Sequence, residues 1–127
     1  MQNAECRMEN VMDIQDRTFA FACRIVRLYR SMWNDRSARP LAYQLVDAGT
    51  SVGSNLEEAE AGQSKADFIS KCRISLKEAR ETLYWLRLIV ASDFLPEERV
   101  ATLRDEANEI VAILTTIVKN ASKSPRR

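Results

Sequence analysis

Residues 44–85, QLVDAGTSVGSNLEEAEAGQSKADFISKCRISLKEARETLYW, carry two long helical patterns broken once, at Gly62. Apolar and small residues recur at three- and four-residue steps on both sides of the break, the period of an amphipathic helix. Ser64-Lys-Ala-Asp67 reads as a capping box that restarts the helix, with Ser64 accepting from a first-turn amide and Asp67 reaching back. Gly62 is an apt stop for the helix before it. Gly49 and Gly53 each cost about 1 kcal/mol of helix propensity against alanine, so their presence implies close approach by a neighbouring helix. The seam of this helix runs Leu41, Leu45, Ala48, Val52, Asn55 and Ala59. An amide at Asn55 inside that series needs partners; a core hydrogen bond that fixes helix register is the favoured reading over a ligand-binding amide.

Outward from this stretch the chain repeats the same kind of element. Residues 13–33 place Ile14, Phe21, Ile25, Leu28 and Met32 on one stripe, widened by Phe19, Val26, Tyr29 and Trp33. Pro40 suits a first helical turn, where its missing N–H is not needed. After Asp93-Phe-Leu-Pro96, a heptad-like seam follows at Val100, Leu103, Ala107, Ile110, Leu114, Ile117 and Ala121. Four long helices with short connections predict an all-α, antiparallel up-down-up-down four-helix bundle over residues 13–122. Residues 1–12 are expected to be a flexible segment, and 123–127 a disordered basic tail. With 127 residues the chain can bury a core without disulfides or metals, and three glycines and three prolines are too few for a strand-and-turn architecture.

The helix after Ser64 is apolar on two sides. One seam holds Ile69, Cys72, Leu76, Ala79, Leu83 and Val90, and roughly opposite lie Ile74, Trp85 and Leu88. No helix of a four-helix bundle is central, so the second face predicts burial against another chain, with Ile74, Trp85 and Leu88 as the candidate oligomer interface. Between the two runs a basic stripe, Arg73, Lys77, Arg80, Tyr84 and Arg87, the candidate contact for a phosphate backbone and a stacked base. Its bland counterpart is a solvated helix flank with Glu78 and Glu81 as local partners.

Chemistry is thinly represented. The chain has no histidine, and Cys6, Cys23 and Cys72 form no metal-ligand spacing. Glu57, Glu58 and Glu60 fan around a helix end without the Glu-x-x-His pairs of a bundle metal site. No P-loop, GxGxxG, GxSxG or kinase signature occurs. These readings predict no catalytic residues, no metal, no cofactor and no small-molecule substrate. No apolar run is long enough to span a bilayer, and the first residues lack the pattern of a secretory signal, so a cytoplasmic protein with no membrane partner is expected. A net charge of only +1 argues against a strong electrostatic nucleic-acid binder.

Gln44-Leu45, Ala48, Ser51-Val52, Asn55-Leu56-Glu57-Glu58, Ser64-x-x-Asp67-Phe68 and Ser75-Leu76-Lys77-Glu78-Ala79-Arg80-Glu81-Thr82-x-Tyr84-Trp85-Leu86 together resemble the bacterial 23S rRNA intervening-sequence (S23-like) four-helix-bundle proteins. Ala59, where glycine is common, and Gln63, where arginine is frequent, depart from that pattern. The resemblance implies a homo-oligomer, a pentamer of antiparallel bundles, without catalytic activity. It also implies kinship with nucleic-acid-binding accessory bundles of retroelements. By the same resemblance Asn55, Glu58, Ser64, Asp67 and Glu78 are polar core and capping positions. The functional expectation is a non-catalytic, self-assembling scaffold or adaptor whose partner is itself. The alternative is an accessory protein that binds RNA or a ribonucleoprotein through the basic stripe.

Overall fold

The computed structural model describes residues 2–62 and 64–123, with side chains from Ile14 onward. Among the described residues the chain forms four α-helices and no strand: α1 (Gln2–Met32), α2 (Arg39–Glu60), α3 (Lys65–Ala91) and α4 (Glu97–Lys123), with a 3-10 turn at Arg36–Ala38 before α2. α1 starts eleven residues earlier than the apolar pattern predicts. The physical reason lies in propensity: Ala4, Glu5, Arg7, Met8, Glu9 and Met12 are strong helix formers, and no glycine or proline intervenes. The expected tail falls mostly outside the described residues, although Lys123 closes α4.

The helix boundaries follow from local chemistry. Asp35 accepts from the Ser37 amide at 3.0 Å and starts the 3-10 turn, and Pro40 occupies the first turn of α2. There Arg39 donates to the Trp33 carbonyl at 2.8 Å and lies 4.2 Å over the Trp33 ring, tying the end of α1 to the start of α2. At the far end of α3, Asp93 adopts φ 64°. The Asp93 amide donates to Val90 and the Phe94 amide to Ile89, both at 3.0 Å, which is the double bond of a Schellman stop with aspartate in the usual glycine place.

α2 packs most extensively on α3; α1 packs on α2 and α3 on α4, while the seam between α1 and α4 is much thinner. α1 buries Ile14, Thr18, Phe21, Ile25, Leu28 and Met32, and α4 buries Val100, Leu103, Ala107, Ile110 and Leu114. Both rows follow the pattern, except that Ile117 and Ala121 at the end of the α4 seam are only half-buried and Phe19 does not join the core, standing 68% exposed. At 100° per residue it points nearly opposite the buried row.

α2 requires a correction of phase. Its fully buried row runs Ala42, Leu45, Gly49, Val52, Leu56 and Ala59, with Ala48 and Gly53 beside it. Leu41 and Asn55 are therefore flank positions, and Leu56 takes the core place expected for Asn55. α3 is also out of phase, in the opposite sense: its core falls one residue earlier than the pattern places it. Cys72, Leu76 and Ala79 are buried as expected, but Ser75, Thr82, Leu86 and Ile89 complete the row, leaving Ile69, Leu83 and Val90 half-buried.

Close approach at the glycines is real, and α1 is the neighbour. A Cβ on Gly49 would meet Ile25 Cγ2 at 2.8 Å and Cγ1 at 2.9 Å; at Gly53 the nearest atom is Thr18 Oγ1 at 3.3 Å. The thin α1–α4 seam is held differently. Arg17 Nε and Nη2 donate to Glu106 at 3.0 and 2.7 Å with Glu109 nearby, and the hydrogen bonding to Glu106 raises the guanidinium pKa further. Arg24 donates to Thr102 at 2.8 Å on the same seam.

Gly49→Ala is expected to destabilise the fold by about 1–3 kcal/mol despite its better helix propensity, because the core must shift around Ile25. Gly53→Ala should change stability by less than about 1 kcal/mol. Urea denaturation checks both, and Gly49→Ala with Ile25→Ala should cost clearly less than the sum of the two single changes.

Candidate functional site

The residues expected to form a polar core lie along the α2–α3 flank instead of inside it. Ser64 is the cap of α3: its side chain accepts from the Asp67 amide at 3.1 Å, and its backbone is extended as a cap requires. The Asp67 side chain is exposed in the first turn. Glu58 is an exposed partner of Lys71, at 2.7 Å across the two helices. Asn55 donates to the Ser51 carbonyl of its own helix at 2.8 Å and is only half-buried, so it does not set the register between helices.

That task falls to Ser75, whose fully buried hydroxyl donates to the Val52 carbonyl of α2 at 2.6 Å. The other buried polar side chains, Thr18 and Thr82, donate to Gln15 and Glu78 carbonyls on their own helices. No buried polar side-chain atom is left without a partner among the described residues. Ser75 sits three residues after Cys72 and four before Ala79, a core phase readable in the sequence. Its serine identity disguised the position.

The outer side of α3 has two flanks of unlike character. Arg73, Lys77, Arg80, Tyr84 and Arg87 are all exposed, as the stripe predicts. Arg73 donates to Ser122 at 3.3 Å, which turns this flank towards α4. Tyr84 is 54% exposed and its ring meets Trp85 edge-on at 5.2 Å. The other flank, marked by Lys71 and its contact with Glu58, turns towards α2 and carries Glu78 and Trp85 at heptad steps. Trp85 is half-buried and packs against the subunit's own core. Ile74 is 36% exposed and Leu88 half-buried.

Glu78 is the electrostatically uncomfortable member of this surface. Burial, first, and the neighbouring Glu81, second, hold its carboxyl above the ordinary range; Lys77 pulls it back, and Asp47 on α2 adds to the rise. Cys72, by contrast, is buried filler. Burial, with a smaller contribution from Glu60, pushes its thiol up, away from the reactive thiolate. No cluster of potential metal ligands occurs among the described residues. No described helix is long and apolar enough to cross a membrane.

A third surface was not anticipated. Between the outer sides of α1 and α2 lies an open groove of about 770 Å³, floored near Gly53 and walled by Phe19, Ala22, Cys23 and Val26. The signal available for it was Phe19, which the sequence pattern had placed with the core.

The family model for the 23S rRNA-intervening sequence protein matches residues 10–116, through all four helices. The chain belongs to this family. A crystal structure of a protein of unknown function from the S23 ribosomal protein family of Bacteroides thetaiotaomicron is 40% identical, with a TM-score of 0.80. The similarity covers 84% of this chain and 98% of that one. No curated protein matches it. The family match extends well beyond the central segment that carries the resemblance in sequence, so α1 and α4 belong to the family unit as well.

Glu78 generates a pH prediction for this family member. A carboxyl whose pKa rises on folding binds its proton more tightly in the folded state, so it makes stability fall as pH rises above the unfolded value of about 4.3. Ionised Glu78 is then a net cost at neutral pH. Glu78→Gln should raise the melting temperature at about pH 7 and lose that advantage below about pH 4; the same gain at both values would contradict the assignment.

Proposed function

We propose that this member of the 23S rRNA-intervening sequence family is a non-catalytic helical bundle that assembles with copies of itself and serves as a cytoplasmic scaffold or adaptor. The observation that carries the reading is the set of large apolar side chains that the subunit's core leaves outside among the described residues: Phe19, Tyr43, Tyr84 and Ile74, at 68%, 54%, 54% and 36% exposure. Single exposed apolar side chains are ordinary, and it is their grouping into a patch on a helix face that marks a surface meant to be covered. Ile74, beside the half-buried Leu88 and Trp85, gives α3 an apolar strip between an acidic and a basic flank. Such a surface suits contact between like subunits.

The paired residues support an up-down-up-down topology. Gly49 lies against Ile25 and Gly53 against Thr18; Val52 meets Ser75 and Glu58 meets Lys71; Arg17 meets Glu106 and Arg24 meets Thr102. In each pair of helices one number rises as the other falls. The pentamer implied by the resemblance is a specific count for this assembly.

A second reading, RNA binding, is favoured by one observation: all five residues of the stripe from Arg73 to Arg87 are exposed on one flank. Repetition of that stripe around an oligomer multiplies a weak contact.

Light scattering and native mass spectrometry at micromolar concentration test the first reading. Species larger than one chain are expected, and a monomer alone would falsify self-assembly. For the second, retention on structured RNA should fall with salt, and Arg73→Glu or Arg80→Glu should weaken it and flatten its salt slope by about 1 or more. Absence of binding at low salt rules that reading out.

A further inference from the structure

α1 carries a second seam on the side turned away from the core. Asp16, Phe19, Cys23, Val26 and Arg30 recur at alternating steps of three and four, the spacing by which one helix packs along another. Phe19, the most exposed of the large apolar side chains, stands in this row with Cys23 and Val26, and the three wall the groove between α1 and α2.

The charges at the two ends of the groove are segregated. Asp16 stands at one end, and Glu57 of α2 joins it, because Gly53 lies against Thr18 and Glu57 is one turn further along. Arg27 and Arg30 stand at the other end. None of these four is ion-paired among the described residues. Arg17 and Arg24, by contrast, are engaged with Glu106 and Thr102 across the α4 seam. From Asp16 to Arg30 the row spans about 21 Å, roughly four turns.

An acidic end, an apolar middle and a basic end in line form a surface that complements its own reversed copy. We propose that two copies of this chain pair α1 against α1, antiparallel, across a two-fold axis close to Cys23. Asp16 then meets Arg30 of the second copy, Phe19 packs near Val26 of the second copy, and the two Cys23 side chains approach each other. A parallel pairing sets Asp16 on Asp16 and Arg30 on Arg30, and is disfavoured by repulsion at both ends. A polyanion is disfavoured by the acidic end and by Phe19.

This contact rests on the self-assembly reading and specifies one of its surfaces. α1 and α3 are not neighbours around the bundle, so the contact leaves the outer side of α3 free. It joins copies in twos, whether the unit joined is one chain or a ring formed through α3.

The test is charge reversal in the full chain, read by native mass spectrometry and light scattering at micromolar concentration. Asp16→Arg and Arg30→Asp should each halve the assembled mass or weaken the contact at least tenfold, and the double reversal should restore it. Asp16 and Arg30 are exposed, so helicity by circular dichroism should not change. In a second arm, Cys6→Ser protein treated with a short bismaleimide should give a covalent dimer on a denaturing gel, and adding Cys23→Ser should abolish it. Unchanged mass in the single reversals, failure of the double to restore, or no Cys23-dependent cross-link overturns the contact and leaves self-assembly standing. A monomeric parent chain sinks both.

Discussion

Two glycines on α2 govern how close this bundle's first two helices can come. At Gly49 the side chain of Ile25 occupies the space a Cβ would fill, and at Gly53 the Thr18 backbone and hydroxyl nearly do so. Each glycine weakens α2 on its own. The contact offsets that cost by letting Ile25 and Val52 be fully buried beside them. α2 then serves both neighbours, with α1 against its glycines and α3 against the Val52 carbonyl that accepts from Ser75. A single hydroxyl in a dry contact fixes axial register well, because displacement by one residue leaves a buried donor unmet.

The same glycines explain which parts of the fold were legible in the sequence. The start of α3 is legible because it is written in chemistry that acts locally, the Ser64 side chain on a first-turn amide. α2 could be located but not phased. Its true core row passes through Ala42 and Gly49, and a residue with little or no side chain is assigned to a core only when the neighbour that fills the gap is known. For this reason the pattern puts Asn55 in the place of Leu56, and the small polar Ser75 and Thr82 turn α3 by one residue the other way. Phe19 is the opposite case, a large apolar residue whose helical angle points out of the core. Hydrophobicity shows that a face is to be covered, not by what.

Overall charge concealed a further layer. A net charge of +1 describes a nearly neutral chain, yet α3 separates a basic flank towards α4 from an acidic one towards α2, and the groove on α1 separates its signs from end to end. Segregated charge of this kind adds little to the stability of one subunit, since exposed pairs are screened. It acts on which surfaces meet and in what orientation. Glu78 fits this pattern, being held partly buried beside Glu81 with its carboxyl raised above the ordinary range.

The thin seam between α1 and α4 gives the bundle uneven mechanical strength. The other three contacts are extensive; here the contact is sparse and includes a guanidinium clasp and one arginine–threonine bond. Such bonds exchange readily with water and weaken in salt, whereas the paired α2 and α3 retain their dry interface when they do. The molecule is therefore best pictured as a firm two-helix spine with an outer helix folded onto each side. Its cheapest excursion is to part those outer helices along one edge, a breathing motion that uncovers core side chains without disturbing the spine.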